Sequence, residues 1–283
     1  MSKQNYDWDI VVRPKSNLFT LNFQEVWTYR DLVFLMVRRD ITAIYKQTIL
    51  GPLWMFIQPI FTTLIYTFTF GQANISTGGI PPILFYLIGQ TFWMYFAECL
   101  NKTSTTFIAN AAVFGKVYFP RLVMPFSIII SNLLRLGIQL ILLIIVYIYY
   151  KNSGEDISLQ LPSLVLLPLL IIMLGLFSLS LGILFSSLTT KYRDFTFLLS
   201  FAVQLLMFLS CVVFPISMFH GTIKSVMILN PIAIIMEAIK FVTTGHGFFD
   251  MNYILVSLVT IILLFLVSIV VFNKTEKSFM DTV

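Results

Sequence analysis

The sequence predicts an all-α integral membrane protein. Its parts are six transmembrane helices, an N-terminal amphipathic helix at the interface, and short re-entrant helices on the outer side between helices five and six. Three observations predict it. Six stretches, 52–71, 84–107, 127–150, 163–188, 196–218 and 253–272, are each long and apolar enough to cross a bilayer, whose hydrocarbon core of about 30 Å takes about 20 helical residues. Hydrophobic residues make up 58% of the chain and charged residues only 11%, against about 25% charged in a soluble domain. The basic residues are also unevenly placed. Thirteen lie before the first span, in the loops after spans two and four, and in the tail, while Lys151, Lys224 and Lys240 alone fall on the other side. Positive loops stay in the cytoplasm, and an even number of spans returns both termini to one side, so both termini are expected to be cytoplasmic.

With 283 residues, the chain has room for one membrane domain. Residues 1–50 form a cytoplasmic N-terminal segment, 52–272 the six-helix bundle and 273–283 a cytoplasmic tail. The first 20 residues carry Asp7, Asp9, Arg13 and Lys15 and no apolar core, so no cleavable signal peptide is expected. Within residues 22–37, Phe23, Val26, Trp27, Phe34 and Val37 recur at three- and four-residue steps. That period gives an amphipathic helix, and its Trp and Tyr suit the headgroup level. Packing of the same helix on the bundle is the alternative.

Span one opens at Gly51-Pro52, where a proline in the first turn gives up no hydrogen bond, and Pro59 is expected to kink it. Span two is unusual for its polar residues Gln90, Glu98, Asn101 and Lys102. Glu98 and Lys102 are four apart and share a helix face. Arg135 lies inside span three. Charges at such depth usually face protein or water; the plain alternatives are that Glu98 and Lys102 neutralise each other or Lys102 snorkels to the cytoplasmic end, and that Arg135 makes an internal ion pair or carbonyl contact. Span four carries Ser178, Gly182 and Ser186 on one stripe, which lets helices approach closely, within one chain or between two. Residues 219–252 are apolar but split at Asn230-Pro231, which fits two short helices dipping into the membrane. Cys99 and Cys211 both fall inside spans and read as packing residues.

Several chemistries have no visible motif. Gly115-Lys116 lacks the remaining residues of a phosphate loop, because Asn110 and Val117 occupy the required positions. The chain is therefore expected not to hydrolyse ATP. His220 and His246 have no nucleophile motif nearby. No catalytic residue, metal ligand or cofactor is expected, and the basic residues read as topology and phospholipid contact, with no nucleic acid.

Aromatic rings are abundant: 28 Phe, 12 Tyr and 4 Trp. Trp54, Phe61 and Phe68 repeat every seven residues with Gln58 beside them, and Phe92, Tyr95 and Phe96 cluster in span two. Rings with a few polar neighbours suit sugars, which stack a C–H face and offer hydroxyls. These seven are the expected lining of a substrate channel, with lipid-facing or core positions as the alternative.

The run Arg39-Asp40, Tyr45-Lys46-Gln47, Leu50-Gly51, Leu53-Trp54, Pro59 and Phe68-Thr69-Phe70-Gly71 resembles the opening of ABC-2 type permeases that export polysaccharides. GKVYFPRLVMP (115–125), KYRDF (191–195), LNP with Glu237-Ala238 and Lys240 (229–240), and FNKTEKSFMDTV (272–283) resemble later family segments in the same order. Lys240 stands where relatives often carry Arg, and Cys211-Val212-Val213-Phe214-Pro215 departs from a usual Thr-Pro-Val. The resemblance implies a homodimer in the bacterial cytoplasmic (inner) membrane, joined to two copies of a separate ATPase that binds ATP and Mg. It implies a lipid-linked polysaccharide as substrate, an O-antigen-like glycan on undecaprenyl diphosphate. Lys116, Arg121, Lys191, Arg193 and Asp194, in the loops 111–126 and 188–196, would couple to the ATPase. Arg38, Arg39 and Lys46 would meet the lipid diphosphate, or else anchor to headgroups. The competing readings are an ABC-2 permease for a drug or small amphiphile, a membrane-embedded glycosyl- or acyltransferase, and a scaffold.

Overall fold

The computed structural model describes residues 23–46, 51–73, 75–114, 116 and 119–282. Residues 1–22 of the N-terminal segment lie outside it, as do Gln47 and Leu50 of the opening motif, Gly115, Val117 and Tyr118 of the second motif, and Val283 of the tail.

All regular structure among the described residues is helical. Two helices, α1 (Phe23–Thr28) and α2 (Arg30–Lys46), precede a single 3-10 turn at Gly51–Leu53. Then come α3 (Trp54–Gln72), α4 (Pro82–Ser104), the one-turn α5 (Thr106–Ala109) and α6 (Ala111–Phe114), and α7 (Val123–Asn152). The chain continues with α8 (Leu161–Leu164), α9 (Leu166–Lys191), α10 (Phe195–Phe208), α11 (Gly221–Leu229), α12 (Pro231–Thr244) and α13 (Met251–Thr282). Among the described residues, four helices are individually long and apolar enough to span a membrane: α4, α7, α8 continued by α9, and α13. The expected first span is the 19-residue α3, with several polar residues and Pro59 in its interior. A count of six therefore includes α3 and α10.

The expected fifth span, 196–218, departs most from the sequence reading. Its helix stops at Phe208 and is only 14 residues long. Pro215 cannot donate to a continuing helix, and Cys211 turns the chain with φ 54°, a conformation costly for a non-glycine residue. The carbonyls freed by this break find partners on a later segment. Asn230 Nδ2 donates to the Leu209 carbonyl at 2.9 Å, and Lys240 Nζ donates to the Cys211 carbonyl. Beyond it, α11 and α12 meet at 89° across Asn230. Asn230 caps α12 by accepting the Ile232 N–H at 3.0 Å, with Pro231 in the first turn. Gly245, at φ 80°, closes the same helix, its N–H bonded to the Phe241 carbonyl at 2.8 Å.

Helix α4 is the central post of the bundle. Its buried residues run from Leu84 to Ser104, and it packs against α9, α7, α3, α10 and α12. Between helices surrounded by lipid, close packing and hydrogen bonds replace the hydrophobic drive. The small stripe of α9 provides that packing within the chain. Gly175 leaves room for the Tyr95 hydroxyl, and a Cβ at Gly182 would lie 2.5 Å from Thr103 Cβ. Ser178 and Ser186 are buried, their hydroxyls turned back on their own helix. Thr189 Oγ1 crosses to the Ser104 carbonyl at 2.6 Å.

A second apolar cluster ties α2 to one end of the bundle. Val33, Met36 and Val37 pack with Phe107, Phe114, Phe119, Val123, Met124 and Phe272. The opposite face of the same helix pair leaves Trp27, Phe34 and Leu35 exposed. The amphipathic segment thus docks on the bundle with one face and presents aromatic surface with the other. Cys99 and Cys211 are both free thiols, buried in the core.

Candidate functional site

Seven-residue spacing on α3 places Trp54, Phe61 and Phe68 on one outward stripe, with exposures of 50, 61 and 72%. Gln58 is exposed beside them. On α10, Phe197, Phe201, Leu205 and Phe208 are also exposed. The two helices touch: Tyr66 Oη lies 3.7 Å from Met207 Sδ. Beyond α10, Phe70 meets Phe214 edge-on at 5.7 Å. An apolar face of this extent marks a surface that meets lipid, ligand or protein.

Phe92, Tyr95 and Phe96 do not join that stripe. They are core residues of the subunit, each less than 5% exposed. Phe96 stacks on Phe177 of α9 at 5.9 Å. Their helix carries apolar neighbours on every side, so the sequence held no signal for which face was buried.

The charged residues expected inside the membrane do come together. Glu98 Oε2 receives Lys102 Nζ at 2.8 Å and Arg135 at 3.4 Å. Lys102 and Arg135 also line a cavity of about 440 Å³ between α2, α4, α5 and α7, and Arg39 reaches the same cavity from α2. Asp40 accepts two hydrogen bonds from the Arg39 guanidinium, at 3.0 and 2.8 Å, and its other oxygen lies 3.5 Å from Ser131 Oγ. Of the residues expected to meet a lipid diphosphate, only Arg39 lines this cavity; Arg38 and Lys46 are exposed elsewhere on α2. Asp40, Asn110, Ser131 and Asn132 complete the wall, and the sequence reading missed them. Their signal was present: Ser131, Asn132 and Arg135 stand within one turn of an otherwise apolar helix.

The loops expected to couple to an ATPase lie at one end of the bundle. Arg121 sits over the Phe114 ring, 5.7 Å from its centroid, and Lys116 is exposed. Between α9 and α10, Lys191 Nζ lies 5.1 Å from the Tyr192 ring, and Arg193 and Asp194 are exposed. Phe114 and Phe119 also pack in the α2 cluster, so the loop before α7 touches the helix that walls the charged cavity.

A second charged site lies within α12. Glu237 and Lys240, each about 1% exposed, pair at 3.1 Å. Lys240 Nζ stands 3.8 Å from the Phe85 ring centroid, and Glu237 Oε2 accepts the Phe248 N–H at 3.2 Å. The pair borders a cavity of about 240 Å³ with Thr77, Ser217 and Lys224. Its i,i+3 spacing in an apolar helix was the available clue.

The described residues form an all-helical bundle with several helices long and apolar enough to cross a membrane. Residues 31–244 match the ABC-2 type transporter family, and the chain belongs to it. It is similar to two O-antigen export system permease proteins RfbA of Klebsiella pneumoniae, each 26% identical over 255 residues, which cover 89% of this chain and 94% of theirs. The RfbA permease of Myxococcus xanthus is 25% identical over 260 residues, 90% of this chain and 96% of that one.

Proposed function

We propose that the chain is the permease subunit of an ABC transporter that exports a lipid-linked polysaccharide, an O-antigen-like glycan on undecaprenyl diphosphate. A glycan cannot cross bare hydrocarbon, since each hydroxyl stripped of partners costs about 1–3 kcal/mol. A lined path removes most of that cost. The observation that carries this reading is the exposed aromatic stripe of Trp54, Phe61 and Phe68 on α3. Two subunits facing each other across that stripe would enclose a passage paved with rings, with Gln58 as a polar neighbour. Phe92, Tyr95 and Phe96 lie in the subunit core, with Tyr95 and Phe96 set against α9, and would not line that passage.

Export would be driven by two copies of a separate ATPase, which holds ATP and Mg. It would dock on Lys116, Arg121, Lys191, Arg193 and Asp194. Movement there would reach α2 through the Phe114 cluster, and Arg38, Arg39 and Lys46 would meet the diphosphate of the carrier. Both termini would face the cytoplasm, and residues 1–283 would act as one membrane domain in the bacterial inner membrane. The similarity to O-antigen permeases over most of the chain supports the glycan as cargo.

The test is reconstitution with the cognate ATPase in inside-out vesicles loaded externally with radiolabelled carrier-linked glycan. ATP should carry the glycan into the lumen, where an added glycan-degrading enzyme cannot reach it. ATP-driven uptake of a hydrophobic drug with no glycan protected would favour the small-amphiphile reading instead.

A further inference from the structure

We infer that the cavity between α2, α4 and α7 is a binding site for a phosphoryl anion, taken by Arg39, Lys102 and Arg135. Three cations face or border this space against two carboxylates, Asp40 and Glu98. One carboxylate oxygen, Glu98 Oε2, serves both Lys102 and Arg135, so neither has a carboxylate of its own. Ionisable groups inside a membrane span are rare and usually mark a ligand site or a pathway, and Arg135 lines this cavity while sharing its carboxylate with Lys102. A guanidinium presents its donors as a fork that matches phosphate oxygens.

The Nε and Nη2 of Arg39 now both donate to one oxygen of Asp40. An incoming anion would compete with that carboxylate, which also leans on Ser131 of α7. Binding would therefore loosen the polar tie between α2 and α7. About 440 Å³ falls in the size range of small-ligand pockets. It suits a headgroup rather than a glycan chain.

The anion chemistry stands without the glycan reading; only the identity of the natural amphiphile, the carrier's diphosphate, rests on it. The experiment is isothermal titration of the full chain in phosphatidylcholine nanodiscs, with inorganic diphosphate and with geranylgeranyl diphosphate as probes. Both probes should bind saturably, the lipid form more tightly. Lys102→Gln and Arg135→Gln should each weaken binding about tenfold or more, the scale of one charged hydrogen bond. Glu98→Gln should tighten it several-fold by releasing both cations, an effect that misfolding cannot imitate. Lys151→Gln, on an exposed residue outside the cavity, is the control. Equal loss of both probes in phosphatidylglycerol nanodiscs supports the site and makes bulk lipid its source. Absence of binding by either probe, or affinity untouched by Glu98→Gln and Arg135→Gln, overturns the inference. Glycan export that persists beside that negative result leaves the proposed function intact, and anion binding in a chain that moves no glycan does the reverse.

Discussion

Lys240 Nζ lies 3.1 Å from Glu237 Oε1 with both residues about 1% exposed, and the same ammonium donates to the carbonyl of Cys211. One cation thus holds the broken end of α10 to α12. Removing a single partner of a buried pair typically costs about 3–5 kcal/mol, because the other charge is left uncompensated. Lys240→Met should therefore lower the thermal midpoint of the detergent-solubilised protein markedly. The double change Lys240→Met with Glu237→Leu should recover part of that loss, leaving the Cys211 carbonyl and the Phe248 N–H without their partners. A single variant as stable as the parent would remove the pair's role as a fastener.

The two sets of aromatic residues should respond differently. Phe61→Ala with Phe68→Ala deletes exposed rings, so the protein should fold and assemble normally while surface glycan falls several-fold. Phe92→Ala deletes a fully buried ring and should destabilise by about 3–5 kcal/mol. Thermal unfolding and quantification of surface glycan on the same variants separate the outcomes. Normal export by the exposed double variant would exclude the stripe as a sugar path.

Arg121→Glu reverses a charge in the loop before α7. Association with the ATPase should weaken, read as loss of co-purification at moderate salt, with the bundle still folded. An unchanged complex would count against this loop as a contact.

Gly182 meets Thr103 so closely that an added Cβ would sit 2.5 Å from its Cβ. Gly182→Leu should force α9 from α4 and cost about 1–3 kcal/mol as an overpacked core position. A stable, native-like variant, judged by thermal midpoint and monodispersity, would contradict the close approach.

Hydrophobic length and charge placement made the class of fold legible, because lipid imposes long apolar helices. The Glu98–Lys102 pair followed from a four-residue spacing, and the Trp54–Phe61–Phe68 stripe from a seven-residue one. What stayed hidden was contact between elements distant in sequence. Arg39 and Arg135 reach one cavity because α2 lies along α7, and no local period records that. The early stop of α10 was equally hidden: residues 209–214 are as apolar as a span, and the partners of their freed carbonyls stand at Asn230 and Lys240. The small stripe of α9 left its partner open until Thr103 and Tyr95 were seen opposite it.

The most direct test of the central claim is deletion of the gene for this chain from its host, followed by complementation and measurement of cell-surface polysaccharide against carrier-linked glycan inside. The surface polymer should vanish, the carrier-linked form should accumulate on the cytoplasmic side, and the intact chain should restore export. An unchanged coat in the deletion strain, with no internal build-up, would contradict a glycan permease.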